Sequence, residues 1–314
     1  MSFKNILGQD KPINILKGYI EQSRLAGGYL FVGPEGVGKK LVAQTLAKVV
    51  NCQEETLDAC DRCASCCKVD KNQHPDVHII ESTDREINPV RSTTQMNTSE
   101  KASNGIKIEY IRQLQNDISY KPYEGRKKVF IIDNAHRLTA EAQSALLKIL
   151  EEPPSDSLII LISDKPALLF KTIISRCKIL KFSPLERAKL KEILKKDYSL
   201  GNEIAHFLAY FSEGRFGRAL KLKDTDILRE KNRIIDNFAL SGKPASLDNL
   251  SIQNKEEVRG YLNILATWFR DIYLIKIGMA HSEIINFDRK DDLLVAMSRL
   301  TFLDLNGILD YISD

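Results

Sequence analysis

Apolar positions in the first 180 or so residues follow two alternating periods. Gly28-Tyr29-Leu30-Phe31-Val32, Val77-His78-Ile79-Ile80, Val129-Phe130-Ile131-Ile132 and Leu158-Ile159-Ile160-Leu161-Ile162 are short, nearly continuous apolar runs, the form of parallel strands covered on both faces. Lys178 to Phe182 predicts a fifth strand. Helical spacing recurs between the runs: Leu41, Val42, Thr45, Leu46, Val49 and Val50, then Ile108, Ile111, Leu114 and Ile118, then Ala142, Ala145, Leu146, Ile149 and Leu150. Thr139 can cap the last of these helices and Pro153-Pro154 stops it. Residues 1–27 predict a helical lead-in with Ile13, Leu16, Ile20 and Leu25 on one face. Strands alternating with helices in this way give a doubly wound α/β domain. After Ser183-Pro184 the strand signals stop. Helices are predicted over 185–197, 202–212 and 215–223, and the all-helical pattern continues through 226–314, with Trp268 read as core. Residues 82–104, rich in Ser, Thr, Asn and charge without periodicity, read as a long loop.

Composition changes this picture little. The chain has 314 residues, enough for two or three domains, and its 43% hydrophobic and 28% charged fractions are ordinary for a soluble globular protein. A net charge of +4 permits a nucleic-acid surface without arguing for one. The first twenty residues carry charges throughout, so no signal peptide is expected, and no run approaches the roughly 18 apolar residues of a membrane span. The expectation is a cytoplasmic protein with no membrane partner. Cysteine usage is more informative: five of the six cysteines fall within residues 52–67, and reduced, clustered thiols point to a metal. Cys52, Cys60, Cys63 and Cys66 have the spacing of a four-thiolate Zn²⁺ site, which would be structural because it leaves no open coordination position. Cys67 adjoins Cys66 and should point elsewhere, and His74 and His78 read as surface or strand-edge residues.

The candidate chemistry centres on Gly33-Pro34-Glu35-Gly36-Val37-Gly38-Lys39-Lys40, between a strand and a helix. G-x-x-x-x-G-K in that context is a phosphate-binding loop: backbone N–H groups curl around phosphates and the helix N-terminus adds its positive end. The hydroxyl that should ligate Mg²⁺ is replaced by Lys40. Val129-Phe130-Ile131-Ile132-Asp133 has the form of a Walker B strand, with Asp133 at its C-terminal end beside the loop. The next residue is Asn134, an amide that cannot serve as the general base an ATPase needs there. Two hydrolytic parts are missing together, so ATP binding is expected to be weak or absent and turnover absent.

In this order the motifs resemble those of the delta-prime subunits of the bacterial DNA polymerase III clamp loader, which are AAA+ proteins. The GPEGVGKK loop, the cysteine module after the following helix, VFIIDNAH, SALLKILEEPP and SRC at 175–177 carry the resemblance. It implies an AAA+ P-loop domain with a zinc module over 1–183, a helical lid over 184–224 and an all-α collar over 225–314. Ser163 matches the sensor-1 position, and Arg218 within Gly214-Arg215-Phe216-Gly217-Arg218 resembles a sensor-2 arginine. Arg176 matches the arginine that reaches into a neighbouring subunit's ATP site. The implied partners are gamma/tau motor subunits and a delta subunit in a hetero-pentamer, with the sliding clamp and primer-template DNA met through the complex. The alternative is a gamma/tau-type motor with its own ATPase activity; Lys40 and Asn134 argue against it.

Overall fold

The computed structural model describes residues 1–54, 56–81, 105–240, 255–279 and 283–313; the loop expected at 82–104 lies outside them. The chain divides into two compact units, Met1–Ser183 and Pro184–Asp314.

In the first unit α1 (Asp10–Glu21) leads into β1 (Gly27–Val32), α2 (Lys39–Asn51), α3 (Ala64–Asp70), β2 (Val77–Ile80), α4 (Ile108–Ile118), β3 (Lys128–Ile132), α5 (Ala140–Glu151), β4 (Ser157–Ser163), α6 (Lys171–Arg176) and β5 (Cys177–Lys181). The five strands form one sheet in the order β2-β3-β4-β1-β5, and every pairing is parallel. This is the α/β arrangement of an AAA+ P-loop domain. Residues alternate between two cores, as period-2 geometry requires. Tyr29 and Phe31, Val129 and Ile131, and Leu158 and Ile160 pack with α1, α2 and α3. Leu30, Phe130, Ile132, Ile159 and Leu161 face α4, α5 and α6 on the other side. Each such fully buried side chain contributes about 1.5–3 kcal/mol relative to exposure.

The lead-in helix is shorter than its pattern suggested. Ile13 and Leu16 are buried on α1, but Leu25 reaches the core from beyond the helix, after a left-handed turn at Ser23 (φ 53°). The Thr139 hydroxyl accepts from the Ala142 N–H and caps α5. Trp268 is fully buried, on α11.

Two buried polar side chains hold the connector that feeds β3. The Asp76 carboxylate accepts from the backbone N–H groups of Tyr123 (2.7 Å), Glu124 (2.9 Å) and Gly125 (2.7 Å). Asn51, the last residue of α2, accepts from the N–H groups of Arg126 and Lys127 and donates to the Lys127 carbonyl.

The second unit is helical: α7 (Arg187–Tyr198), α8 (Asn202–Phe211), α9 (Phe216–Lys223), α10 (Ile227–Ile234) with a π-helical continuation over Ile235–Leu240, α11 (Lys255–Lys276), α12 (Lys290–Arg299) and α13 (Phe302–Ser313). The segment before α12 ties these helices together. His206 on α8 bonds the Ile284 carbonyl (2.7 Å), buried Lys231 on α10 pairs with Asp288 (2.6 Å), and Asp271 on α11 accepts from the N–H groups of Ile285 and Asn286. Among the described residues no helix is long and apolar enough to cross a membrane.

Asp76 supplies a test of the connector. Burial pushes its carboxyl up, but the three N–H donors outweigh that and hold it below the ordinary carboxylate range. A depressed folded-state pKa stabilises above the unfolded value of about 3.9, and the contribution is lost as pH falls through the lower folded value. Asp76→Ala is expected to cost about 3 kcal/mol in urea unfolding at pH 7. The gap from wild type should narrow below about pH 4; a gap independent of pH would remove the carboxylate's charge from the account.

Candidate nucleotide site and metal centre

The phosphate loop leaves the C-terminal end of β1. Gly33 passes so close to the strand beyond that a Cβ there would collide with the Phe182 carbonyl. Gly38 caps α2 in the left-handed region, φ 98°, which glycine adopts without strain. Lys39 turns back onto the loop, its Nζ donating to the carbonyls of Gly33 (2.5 Å) and Pro34 (2.7 Å). Burial lowers its pKa, while Asp164, Asp133 and Glu35 act in the opposite direction.

Lys40 reaches toward the strand ends. Its ammonium bonds the Glu81 carboxylate and lies 3.6 Å from Asp133 Oδ2. Ile80 and Ile132 pair across β2 and β3, so Glu81 and Asp133, the residues that follow them, leave the sheet side by side. Glu81 was not legible in sequence; the end of an unremarkable strand gives no signal until strand order places it beside Asp133. Asn134 sits at φ 53°, and its N–H donates to Asp133 Oδ1 (2.9 Å). Ser163 ends β4 opposite Val32; its hydroxyl accepts from the Lys165 N–H (3.1 Å) and lies 3.4 Å from His136 Nδ1. His136, also missed in sequence, has its pKa lowered by burial against the pull of Asp164. Gly33, Gly38, Lys39, Lys40, Asp133, Asn134 and Ser163 thus share the C-terminal edge of the sheet. Arg218 belongs to the second unit, on α9, with its guanidinium 5.3 Å above the Phe211 ring.

Arg176 ends α6 and immediately precedes β5, whose Cys177 pairs with Gly28 at the start of β1. The phosphate loop follows the far end of β1, so one strand length of roughly 15 Å separates the two edges. Arg176 donates to the Thr172 carbonyl (3.1 Å) and pairs with Glu151 (2.8 Å) at the end of α5. The Cys177 thiol is buried, which pushes its pKa up to about 12 and leaves it unreactive.

The sulfurs of Cys52, Cys60, Cys63 and Cys66 lie within 4.8 Å of one another, and Cys60 and Cys66 are 4.0 Å apart. Tetrahedral zinc with Zn–S near 2.3 Å needs sulfurs about 3.8 Å apart, so the donor set and spacing fit that ion. Backbone N–H groups support the sulfurs: Cys63 N–H donates to Cys60 Sγ and Cys66 N–H to Cys63 Sγ. At Cys63 burial opposes ionisation, but the N–H donors of Cys66 and Gln53 outweigh it and lower the thiol to about 6. Cys67 points away, toward the carbonyls of Asp61 and Arg62. His74 accepts from the Asp76 N–H, and His78 stacks on Phe130; neither joins the cluster.

With this geometry in hand, residues 8–186 match the sequence profile of the family described as DNA polymerase III, delta subunit. The DNA polymerase III subunit delta' of Bacillus subtilis is 33% identical over 280 residues, covering 86% of this chain and 78% of that protein. The chain belongs to the DNA polymerase III clamp-loader family. The DNA polymerase III subunit tau of Escherichia coli is also similar, 30% identical over 259 residues and 79% of this chain, although the match spans only 36% of tau. Among solved structures, a gamma subunit-related protein of Thermotoga maritima covers 96% of the chain at 17% identity with a TM-score of 0.44.

The conformation of Asn134 gives this clamp-loader chain a testable feature. Left-handed backbone costs most side chains about 1–2 kcal/mol and asparagine less. Asn134→Glu, which restores the missing carboxylate, should therefore lower stability by about 1 kcal/mol in urea unfolding, and Asn134→Gly should stay within a few tenths. Equal stability of the Glu and Gly variants would refute the backbone argument.

Proposed function

We propose that this chain is a delta-prime-type subunit of the DNA polymerase III clamp loader: it hydrolyses no ATP itself and lends Arg176 to the ATP site of a neighbouring motor subunit. The placement of Arg176 carries this reading. It lies at the opposite sheet edge from the chain's own phosphate loop, roughly one strand length of 15 Å away. Its pair with Glu151 is partly exposed, the class of ion pair worth about 0–1 kcal/mol, so a phosphate of a neighbour can replace the carboxylate at little cost. A guanidinium against the γ-phosphate stabilises charge spread over its oxygens and is worth roughly 10³ to 10⁵ in rate.

The chain's own site supports the same reading from the other side. Lys40 stands where the Mg²⁺-ligating hydroxyl belongs, Asn134 cannot take a proton from water, and Lys39 is engaged by the loop's own carbonyls. ATP binds weakly or not at all. Residues 184–224 serve as a lid, with Arg218 as a sensor-2 remnant and Ser163 as a sensor-1 remnant, and residues 225–314 form the collar. The chain works in a hetero-pentamer with gamma/tau and delta subunits, which opens the sliding clamp and places it on primer-template DNA. The motor reading draws on the 30% identity to tau, and it requires turnover that the chain's own loop is not equipped to perform.

ATP turnover by a clamp loader reconstituted with clamp and primed DNA tests the proposal. Arg176→Ala in this chain should lower turnover at least roughly tenfold, most of it in kcat, while the isolated chain turns over no ATP. Turnover by the isolated chain would transfer the reading to the motor alternative.

The cysteine cluster holds one structural Zn²⁺. Protein purified without chelator should contain one equivalent by metal analysis. Cys63→Ser should lose it and unfold at lower temperature, and Cys67→Ser should keep it. Zinc retained in the Cys63→Ser protein would refute the assignment.

A further inference from the structure

We infer that Lys40 is a tethered cation that bars a divalent metal ion from the phosphate loop. The inference rests on reading that loop as a nucleotide site and concerns which ions it admits. Glu81 and Asp133 leave neighbouring strands side by side, with the Asp133 N–H bonded to the Ile80 carbonyl (2.8 Å). Two carboxylates this close repel unless a cation lies between them. A P-loop site meets that need with a divalent ion held by a hydroxyl, a carboxylate and phosphate oxygens. Here the Lys40 ammonium fills the role, bonded to Glu81 and 3.6 Å from Asp133.

The ion and the ammonium exclude each other on two grounds. A hard divalent cation takes only oxygen ligands at short range, and Lys40 offers three N–H donors and no acceptor. The ammonium also uses the same carboxylates the ion would need and repels it from a few ångströms away. Replacing the hydroxyl by lysine therefore substitutes one fixed positive charge for a diffusible double one. Glu81 is the residue that makes the substitution structural: without it Lys40 would be tethered by Asp133 alone. A nucleoside polyphosphate reaching the loop is admitted, at most, as the metal-free anion.

Mn²⁺ is the probe, its binding to the full chain followed by electron paramagnetic resonance in the absence of nucleotide and with the zinc cluster left intact. Lys40→Thr is expected to bind one Mn²⁺ at least about tenfold more tightly than wild type, because removal of the ammonium frees both carboxylates and adds a hydroxyl ligand. Lys40→Arg keeps the charge and should exclude the ion as wild type does, and Lys40→Thr combined with Glu81→Gln should lose the gain. Lys40→Gln, which keeps most of the length without the charge, gives the same answer if the threonine variant fails to fold. Wild type binding Mn²⁺ as tightly as the uncharged variants, or a gain that survives Glu81→Gln, would overturn the inference. The Arg176→Ala turnover assay probes the opposite sheet edge, so either reading can fail while the other stands.

Discussion

All five strands of the first unit point the same way, and the chemistry of the protein is sorted by that polarity. Loops leaving the C-terminal ends carry Gly33 to Lys40, Asp133 and Ser163; loops entering the N-terminal ends carry Arg176 and the 120–127 connector. A parallel sheet cannot bring its two edges together, because each crossover must pass along a face. A residue at the entering edge, such as Arg176, therefore lies about one strand length from the chain's own phosphate loop. The edge assignment of Arg176 follows from its position directly before β5 and needs no partner structure to derive.

The four-cysteine cluster and the sheet share their supports. Cys52 directly follows Asn51, whose side chain holds Arg126 and Lys127, and the Arg126 guanidinium donates to the Cys52 carbonyl (2.6 Å). The last turn of α2, the first cysteine of the cluster and the approach to β3 are thus one hydrogen-bonded joint, with Asp76 closing it from the β2 side. Four converging thiolates would repel one another without a cation, so a metal bound there would be coupled to the joint's geometry.

Much of the fold was legible because parallel strands buried on both faces read as unbroken apolar runs: Leu158 to Ile162 and Val129 to Ile132 can hardly be anything else. The four cysteines were legible by spacing alone. What sequence hid depends on neighbours far apart in the chain. Glu81 gains meaning only from the register of β2 against β3, Glu151 only from the meeting of the ends of α5 and α6, and Asp76 only from three amides some 47 to 49 residues away. Leu25 was misplaced for the opposite reason: its spacing continued the helical pattern past a left-handed turn at Ser23 that no periodicity marks.

A phosphate-loop motif also has structural work of its own, and this holds in a chain that carries Lys40 and Asn134 at the same sheet edge. Gly33 admits the Phe182 carbonyl, Gly38 caps α2 in a conformation other residues resist, and Lys39 ties the loop shut through the carbonyls of Gly33 and Pro34. Each of these roles holds β1 to α2 whether or not a phosphate is near. The position after Lys39 does not hold the loop backbone: its side chain points to the strand ends, where it pairs with Glu81 and lies 3.6 Å from Asp133. It is therefore the place where the loop can change its chemistry without disturbing its fold, and Lys40 is the change found there.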